Sequence, residues 1–473
     1  WTQVGTTTTA KTLTFPQEGD YGFLRVSGAD PSYTGAATCL ECHENKHTDW
    51  AKTGHAGAFE TLKAIKQEKN AACLPCHTVG AGLPTGFIDE ATTPFFAGVQ
   101  CENCHGPGGN HAAKPGDKSL RPIISLSANI CGGCHTDAHH PTFDEWETSL
   151  HAEVNEHTAG YFKSATGQAR MLACGACHSG AVRMAMLTAK EKNTAVTLPS
   201  GEEAATTGIT CAVCHDPHLK TANGGQLRNP THSSQAFSYS TSTNTTFAAQ
   251  YDANVNICGQ CHNARNATWK DTGRAPHHSP QYNVLTATIG FLVGTNAPRQ
   301  SAHATQITDQ CSHCHVQSHS VATPTEENPN YTGHTFSARL NSCQPCHIDE
   351  ADAASKVEAT QTDTKRRINA LKELLHQWGA SKSDPALRAK YGAYSWEFSS
   401  IGDVTDPTGA LVAGGAKSPA SAEQALIPDE IKQARFNLYI VAHDGSYGVH
   451  NTKYAQDLLK AAEALVLAKL AAP

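Results

Sequence analysis

The sequence is short of the residues that build an ordinary core: 39% of its 473 residues are hydrophobic and 7% aromatic. A chain of this length would normally fold as two to four domains around apolar cores. So thin a supply implies that something other than side chains fills much of the interior. No run of about 18 apolar residues occurs, which excludes a membrane-spanning helix. Basic residues are not in excess, with 36 Lys and Arg against 43 Asp and Glu and a formal charge of -7. A nucleic-acid partner is therefore not expected, because such binders carry a basic patch or stripe. No charged-then-apolar leader precedes Trp1, so the chain reads as mature, after removal of a signal. Only 3 methionines are present, and none of the 18 cysteines stands alone.

Those cysteines form nine pairs of identical spacing: Cys39/Cys42, Cys73/Cys76, Cys101/Cys104, Cys131/Cys134, Cys174/Cys177, Cys211/Cys214, Cys258/Cys261, Cys311/Cys314 and Cys343/Cys346. A histidine follows each pair: His43, His77, His105, His135, His178, His215, His262, His315 and His347. In Cys-x-x-Cys-His two thiols add to the vinyl groups of haem, and the next histidine takes the proximal face of the iron. Zinc ribbons or a disulfide framework would not require histidine after every second cysteine. The expected cofactors are nine covalently bound haem c groups, one for roughly every 50 residues. That density predicts a mainly α fold with extensive loops wrapped around a chain of stacked haems, a helical C-terminal region and little sheet. Thioether attachment takes place outside the cytoplasmic membrane. Export is therefore expected, to the cell surface or beyond, else to the periplasm.

Three regions follow. Residues 1–35 carry no motif and read as an extended N-terminal arm with short strands at Leu13 to Phe15 and Tyr21 to Val26. Residues 36–350 form a nine-haem core in which two triads of motifs look like copies. Trp50 and His55 follow the first motif as Trp146 and His151 follow the fourth, with four residues between the members of each pair. The third motif opens Gly98-Val99-Gln100 and the sixth Gly208-Ile209-Thr210, while the seventh begins Asn256-Ile257-Cys258-Gly259 as the fourth begins Asn129-Ile130-Cys131-Gly132. Residues 351–473 turn helical. Ile368, Leu371, Leu374, Leu375 and Trp378 form one stripe ended by Gly379 and Pro385; a second helix is predicted from near Pro428 to His443 and a last from about Lys453. Gly409 to Ser418 reads as a small-residue linker. The helical tail is expected to cap the core or to mediate self-association.

Each iron also needs a sixth ligand. With 3 methionines against the eighteen histidines that remain of 27, bis-histidine ligation should dominate, which favours low potentials. Candidate distal ligands are His55 and His151, by their fixed interval from tryptophan, and His111 and His218, beyond the turns Gly106-Pro107 and Asp216-Pro217. His278, His319, His334 and His450 complete the set, the last because a helix start fixes its side chain. His47, His139, His140, His157, His232, His303 and His313 stand in reserve, and His376 and His443 read as structural. Arg228, Arg265 and Arg274 are candidate partners for haem propionates.

With GVQCENCHGPGGNH at 98–111, the two Trp/His pairs, CHDPH ending at His218, GHTF at His334 and DGSYGVHN around His450, the chain resembles the multihaem cytochromes c grouped around hydroxylamine oxidoreductase. That group includes its tetrahaem acceptor, the octahaem nitrite and tetrathionate reductases and ammonia-forming cytochrome c nitrite reductase. The resemblance implies a distal-ligand role for His450 and a dimer contact through residues 351–473. Two features depart from it. No Cys-x-x-Cys-Lys occurs, and nine motifs exceed the five or eight haems typical of those enzymes. The count is more similar to large extracellular cytochromes of metal-reducing and electrode-respiring microbes. Two functions are therefore open. One is a conduit passing electrons to redox proteins or extracellular acceptors, as a homo-oligomer that is a dimer or a filament. The other is a reductase of nitrite, hydroxylamine or a sulfur oxyanion, which needs one five-coordinate haem with proton donors at its open face.

Overall fold

The Cys-x-x-Cys-His segments lie on or beside single helical turns, as three- and four-residue spacings require if both thiols are to share a face. Cys101–His105 and Gln310–His315 are such turns, as is Cys211–Cys214, and Met171–His178 carries the fifth motif at its end. The first motif lies inside Ala36–Trp50, where the helix breaks at His43 (φ -118°, ψ 39°), the residue that must turn toward iron. A computed structural model of the chain describes residues 32–221, 224–228, 257–293, 300–307, 309–344, 346–403 and 418–472. The strands expected in the N-terminal arm, His232 and nearly all of the small-residue linker lie outside these. Among the described residues the strand-like pairings are isolated bridges, Thr78 with Ala97, His215 with Leu227 and His319 with Tyr331. The fold is mainly α with little sheet.

The chain divides into two compact units, one of residues 1–229 and 318–336, the other of 230–317 and 337–473. The first holds six motifs, and its copies are visible as repeated contacts. Trp50 donates its indole N–H to Val99 O at 3.0 Å, and Trp146 donates to Ile209 O at 3.0 Å. Val99 N donates to His55 O at 2.9 Å as Ile209 N does to His151 O at 2.7 Å. Gly98 and Gly208 are glycine for the same reason: a Cβ at either would strike the carbonyl of Ala56 or Ala152. The copy continues into the second unit. Gly132 lies under the Phe143 ring and Gly259 under the Tyr282 ring, with Phe143 N donating to His135 O and Tyr282 N to His262 O. There the third copy departs, placing Leu285 and Gly290 where the second has Trp146 and His151. A Cβ on Gly290 would collide with Leu458, so the space is given to the last helix.

The second unit is built on three helices, α1 (Glu350–Ser381), α2 (Asp429–His443) and α3 (Thr452–Ala471). Asp349 caps α1 by accepting from Asp352 N, and Asn451 caps α3 by accepting from Tyr454 N, each satisfying a first-turn amide. Ile368, Leu371, Leu375 and Trp378 of α1 pack with Leu438, Val441, Leu458 and Leu459 in one apolar core. The stripe ends later than its glycine suggests, because α1 carries Gly379 inside it and Pro385 opens the next short helix. None of the described helices is long and apolar enough to cross a membrane.

Candidate haem-binding sites

Three of the motif histidines are held so that Nε2 is left for metal. His77 and His105 donate Nδ1–H to Ala58 O and Ile123 O, each at 2.7 Å, and His215 Nδ1 is bound to Gly225 O. An imidazole anchored through one nitrogen on a carbonyl presents the other in a fixed direction, the usual arrangement of a ligating histidine. The cysteines are grouped as well. The Cys39 thiol bonds to Cys101, Cys76 to Cys134 and Cys131 to Cys211, so the first motif lies beside the third, and the fourth beside both the second and the sixth. Burial raises the Cys104 thiol to about 11, and none of the 18 cysteines is in a disulfide.

The thiols are not set alike, although the sequence spaces them identically. Cys42 and Cys346, the second cysteines of the first and last motifs, are exposed, whereas Cys177 and Cys261 are half-buried. Identical spacing fixes which two thiols can reach one haem, but enclosure depends on what the fold lays over each turn. Cys177 sits near the end of the helix Met171–His178, which packs against the neighbouring helix Gly180–Glu191. Cys261 lies on the turn in which Cys261 N and His262 N both donate to Cys258 O, at 3.0 and 2.9 Å. Cys42 and Cys346 belong to motifs with a single neighbour along the chain, and there the attaching thiol is left to solvent.

Four motif histidines face a histidine from a distant segment. Ring centroids are 6.1 Å apart for His135 and His55, 6.0 Å for His105 and His218, 6.2 Å for His215 and His334, and 6.4 Å for His315 and His450. An imidazole nitrogen binds a divalent metal at about 2 Å and lies roughly 1.2 Å from its ring centroid, so two rings on opposite sides of one ion stand about 6.3 Å apart. The four separations fit an iron between each pair. Burial lowers the pKa of His55, His215, His218 and His334 and takes His135 down to about 4, keeping these imidazoles neutral as ligation demands.

Two buried carboxylates position this set. Glu145 accepts from Thr332 N (2.8 Å), the Thr332 hydroxyl (2.9 Å) and His334 N (2.7 Å), fixing the loop that presents His334. Glu102, inside the third motif, accepts from Gly35 N (2.8 Å) and Gly108 N (2.7 Å), tying the turn before His111 to the start of the first motif helix. Burial raises its pKa. On the tail, Asp444 holds His450 Nδ1 at 2.7 Å. Sequence reasoning passes over all three, because an isolated acid near a motif or a ligand has no periodic signature.

The other expected ligands fall differently. His111 Nδ1 is buried with no hydrogen-bond partner, a nitrogen that an iron would satisfy. The His151 ring stands edge-on to Phe336 at 4.4 Å. His319 is exposed and bridges to Tyr331 through its backbone. His278 turns Nε2 to Asp403 at 2.9 Å and stacks on His443 rather than presenting that nitrogen to a motif histidine. Two reserves gain in its place. His140 lies near enough to His77, and His303 to His347 and His450, for their charges to interact, and His303 Nδ1 bonds to Val449 O at 3.1 Å. His313 is engaged through Nε2 with Ser342 O at 2.9 Å. Arg228, a candidate propionate partner, pairs instead with Asp216 at 3.0 Å.

Comparison with known proteins finds cytochromes. Residues 38–106, the first three motifs, match the family described as cytochrome c554 and c-prime. Cytochrome c-554 of Nitrosomonas europaea is 35% identical over 138 residues, covering 23% of this chain and 59% of that protein. Multiheme cytochrome MtrA of Shewanella baltica is 27% identical over 174 residues, 31% of this chain and 45% of that protein. The chain thus spans about half the length of these relatives. Among solved structures, the outer cell wall cytochrome OcwA superposes with a TM-score of 0.59 at 19% identity, over 92% of this chain and 99% of that one. The undecahaem cytochrome from the S-layer of Carboxydothermus ferrireducens gives 0.57 at 19% identity, over 94% and 70%. At such identity these two show the fold.

Proposed function

From the premise that this chain is a multihaem cytochrome c, with haem attached covalently at its Cys-x-x-Cys-His motifs, we propose that it conducts electrons over long distance through nine mostly bis-histidine haems. The observation that carries the reading is the set of four histidine pairs with centroids 6.0 to 6.4 Å apart. A six-coordinate iron exchanges electrons without binding substrate. Haem supplies the one-electron carriers; the chain supplies axial nitrogens, order and spacing. In this reading His55, His218, His334 and His450 serve as distal ligands, supported by the ring separations, with His111 and His151 added for their place in the repeat. Contacts between thiols of separate motifs, Cys39 with Cys101 and Cys131 with Cys211, support a continuous path, because cofactors attached there must lie close together. The exposed thiols Cys42 and Cys346 put the first and last motifs where electrons can enter and leave. Imidazole on both faces keeps the potentials low, since a methionine axial ligand is what raises them.

The setting is extracellular or cell-surface respiration, else periplasmic, with redox proteins or extracellular acceptors as partners. The names of the two superposing structures, which place those proteins in an outer cell wall and an S-layer, favour this setting. Self-association as a dimer or filament belongs to the same reading. Electron paramagnetic resonance on the fully oxidised protein tests it. Low-spin ferric haem alone is expected. A high-spin signal approaching one haem per chain and shifted by nitrite or hydroxylamine would replace the conduit with a reductase.

A further inference from the structure

Three side chains of the second unit, none of them in a haem motif, converge on one point. His278 Nε2 lies 2.9 Å from Asp403 Oδ2 and His443 Nε2 lies 2.8 Å from Asp403 Oδ1. The two imidazoles stack with centroids 3.7 Å apart and planes 24° from parallel. One nitrogen from each ring and a carboxylate oxygen lie within 4.8 Å of one another.

Proton accounting makes this arrangement unusual. His443 is 4% exposed, and its Nδ1 faces Pro276 O at 2.6 Å while its Nε2 faces Asp403. Both partners are acceptors, and a neutral imidazole donates from only one nitrogen. His278 also faces the carboxylate through Nε2, so protons alone would stack one imidazolium, or two, against a second ring. A cation between the two Nε2 atoms and the carboxylate removes the conflict. His443 then keeps Nδ1–H for Pro276 O, the outer-shell bond that fixes a ligating histidine, and each ring binds through an unprotonated Nε2. Gln281 bonds to the carbonyl oxygens of His443 and Asp444 at 3.4 and 3.2 Å, and the Tyr439 ring walls the His443 ring at 5.1 Å, so the buried donor is rigidly placed.

We propose that His278, His443 and Asp403 form a mononuclear site for a borderline divalent transition-metal ion, of which zinc is the test case, separate from the haem irons. Two imidazoles and one carboxylate are a recurrent set for such ions and leave a coordination position to water. His278 and Asp403 are 61% and 45% exposed, so the ion exchanges with solvent. The site clamps the loop after the seventh motif to the C-terminal end of α2, on an edge of the apolar core.

The test uses the intact haem-loaded protein, stripped with chelator and titrated with zinc chloride by equilibrium dialysis with elemental analysis. One zinc per chain should bind that is weakened tenfold or more in His278→Ala and in Asp403→Ala, with X-ray absorption showing imidazole nitrogens at about 2.0 Å. His278 is exposed, so its replacement should leave haem content and the visible spectrum unchanged. Equal zinc binding by wild type and both variants overturns the site. Conversion of a low-spin haem to high spin in His278→Ala also overturns it, because His278 would then be an iron ligand.

Discussion

The two units solve the same problem with different material. The first carries six motifs, and one of its apolar clusters is no more than Phe59, Leu62, Val79, Phe87 and Phe96. The second carries three motifs and a large core in which Leu375, Trp396, Leu438 and Leu458 are fully buried. Where motifs are dense, the apolar faces of the haems proposed there would take the place of side chains. Where they thin out, α1 to α3 supply a conventional core. The two units thus differ in how their apolar side chains are gathered, into small clusters in the first and one large core in the second.

Withholding haem should break this comparison most severely. In chain produced without haem attachment, the amides of residues 36–215 are expected to exchange with solvent at near-unfolded rates. Those of α2 and α3 should keep measurable protection, since protection follows local apolar burial. Hydrogen exchange read by mass spectrometry decides it, and uniform loss across both units would mean that the second core depends on haem as fully as the first.

A core truncation comes next. Leu438 on α2 is 0% exposed among side chains from all three helices, and removing a buried leucine side chain costs about 2–5 kcal/mol. Leu438→Ala in the haem-loaded protein should lower the denaturant midpoint of the helical signal while the haem absorption of the first unit changes little. A common shift of both signals would show one cooperative structure.

Much of this division is legible in the sequence, and the reasons are local. The haem motifs are fixed-spacing covalent chemistry, and the copies keep the glycines and tryptophans that make the same contacts twice. Spacing alone does not separate the exposed Cys42 and Cys346 from the enclosed Cys104, because enclosure is a tertiary property. α2 and α3 begin within a residue or so of where periodicity and caps place them. α1 is longer than its apolar stripe because the Asp349 cap and ion pairs such as Arg367 with Asp363 at 2.7 Å carry its polar first half. Distal pairing is less legible, since His215 meets His334 only through tertiary packing organised by Glu145. The sequence places His278 ahead of His303 as a candidate ligand, but a neighbour far along the chain, Asp403, decides where the His278 ring points.

The smallest effect sharpens the comparison through pH. Inside the second core Glu397 is fully buried and accepts from the Tyr439 hydroxyl (2.6 Å), Phe398 N (2.9 Å) and Gly402 N (3.2 Å). Arg435 nearby spends its guanidinium on the carbonyls of Trp396 and Glu397, both at 2.7 Å, and on Gln424 at 2.9 Å. Burial therefore prevails over these donors and raises the Glu397 carboxyl from 4.5 to about 7. A folded-state pKa above the unfolded one gives stability that is complete below pH 4.5 and is lost as pH rises toward 7. The full loss is on the order of 3 kcal/mol. Glu397→Gln keeps the shape without the titration, so the pH dependence of the helical midpoint between pH 4 and about 7 should flatten in the variant. The haem signals of the first unit should show the same pH profile with or without the substitution. If their profile flattens too, the two units unfold as one and the contrast between them holds for packing but not for stability.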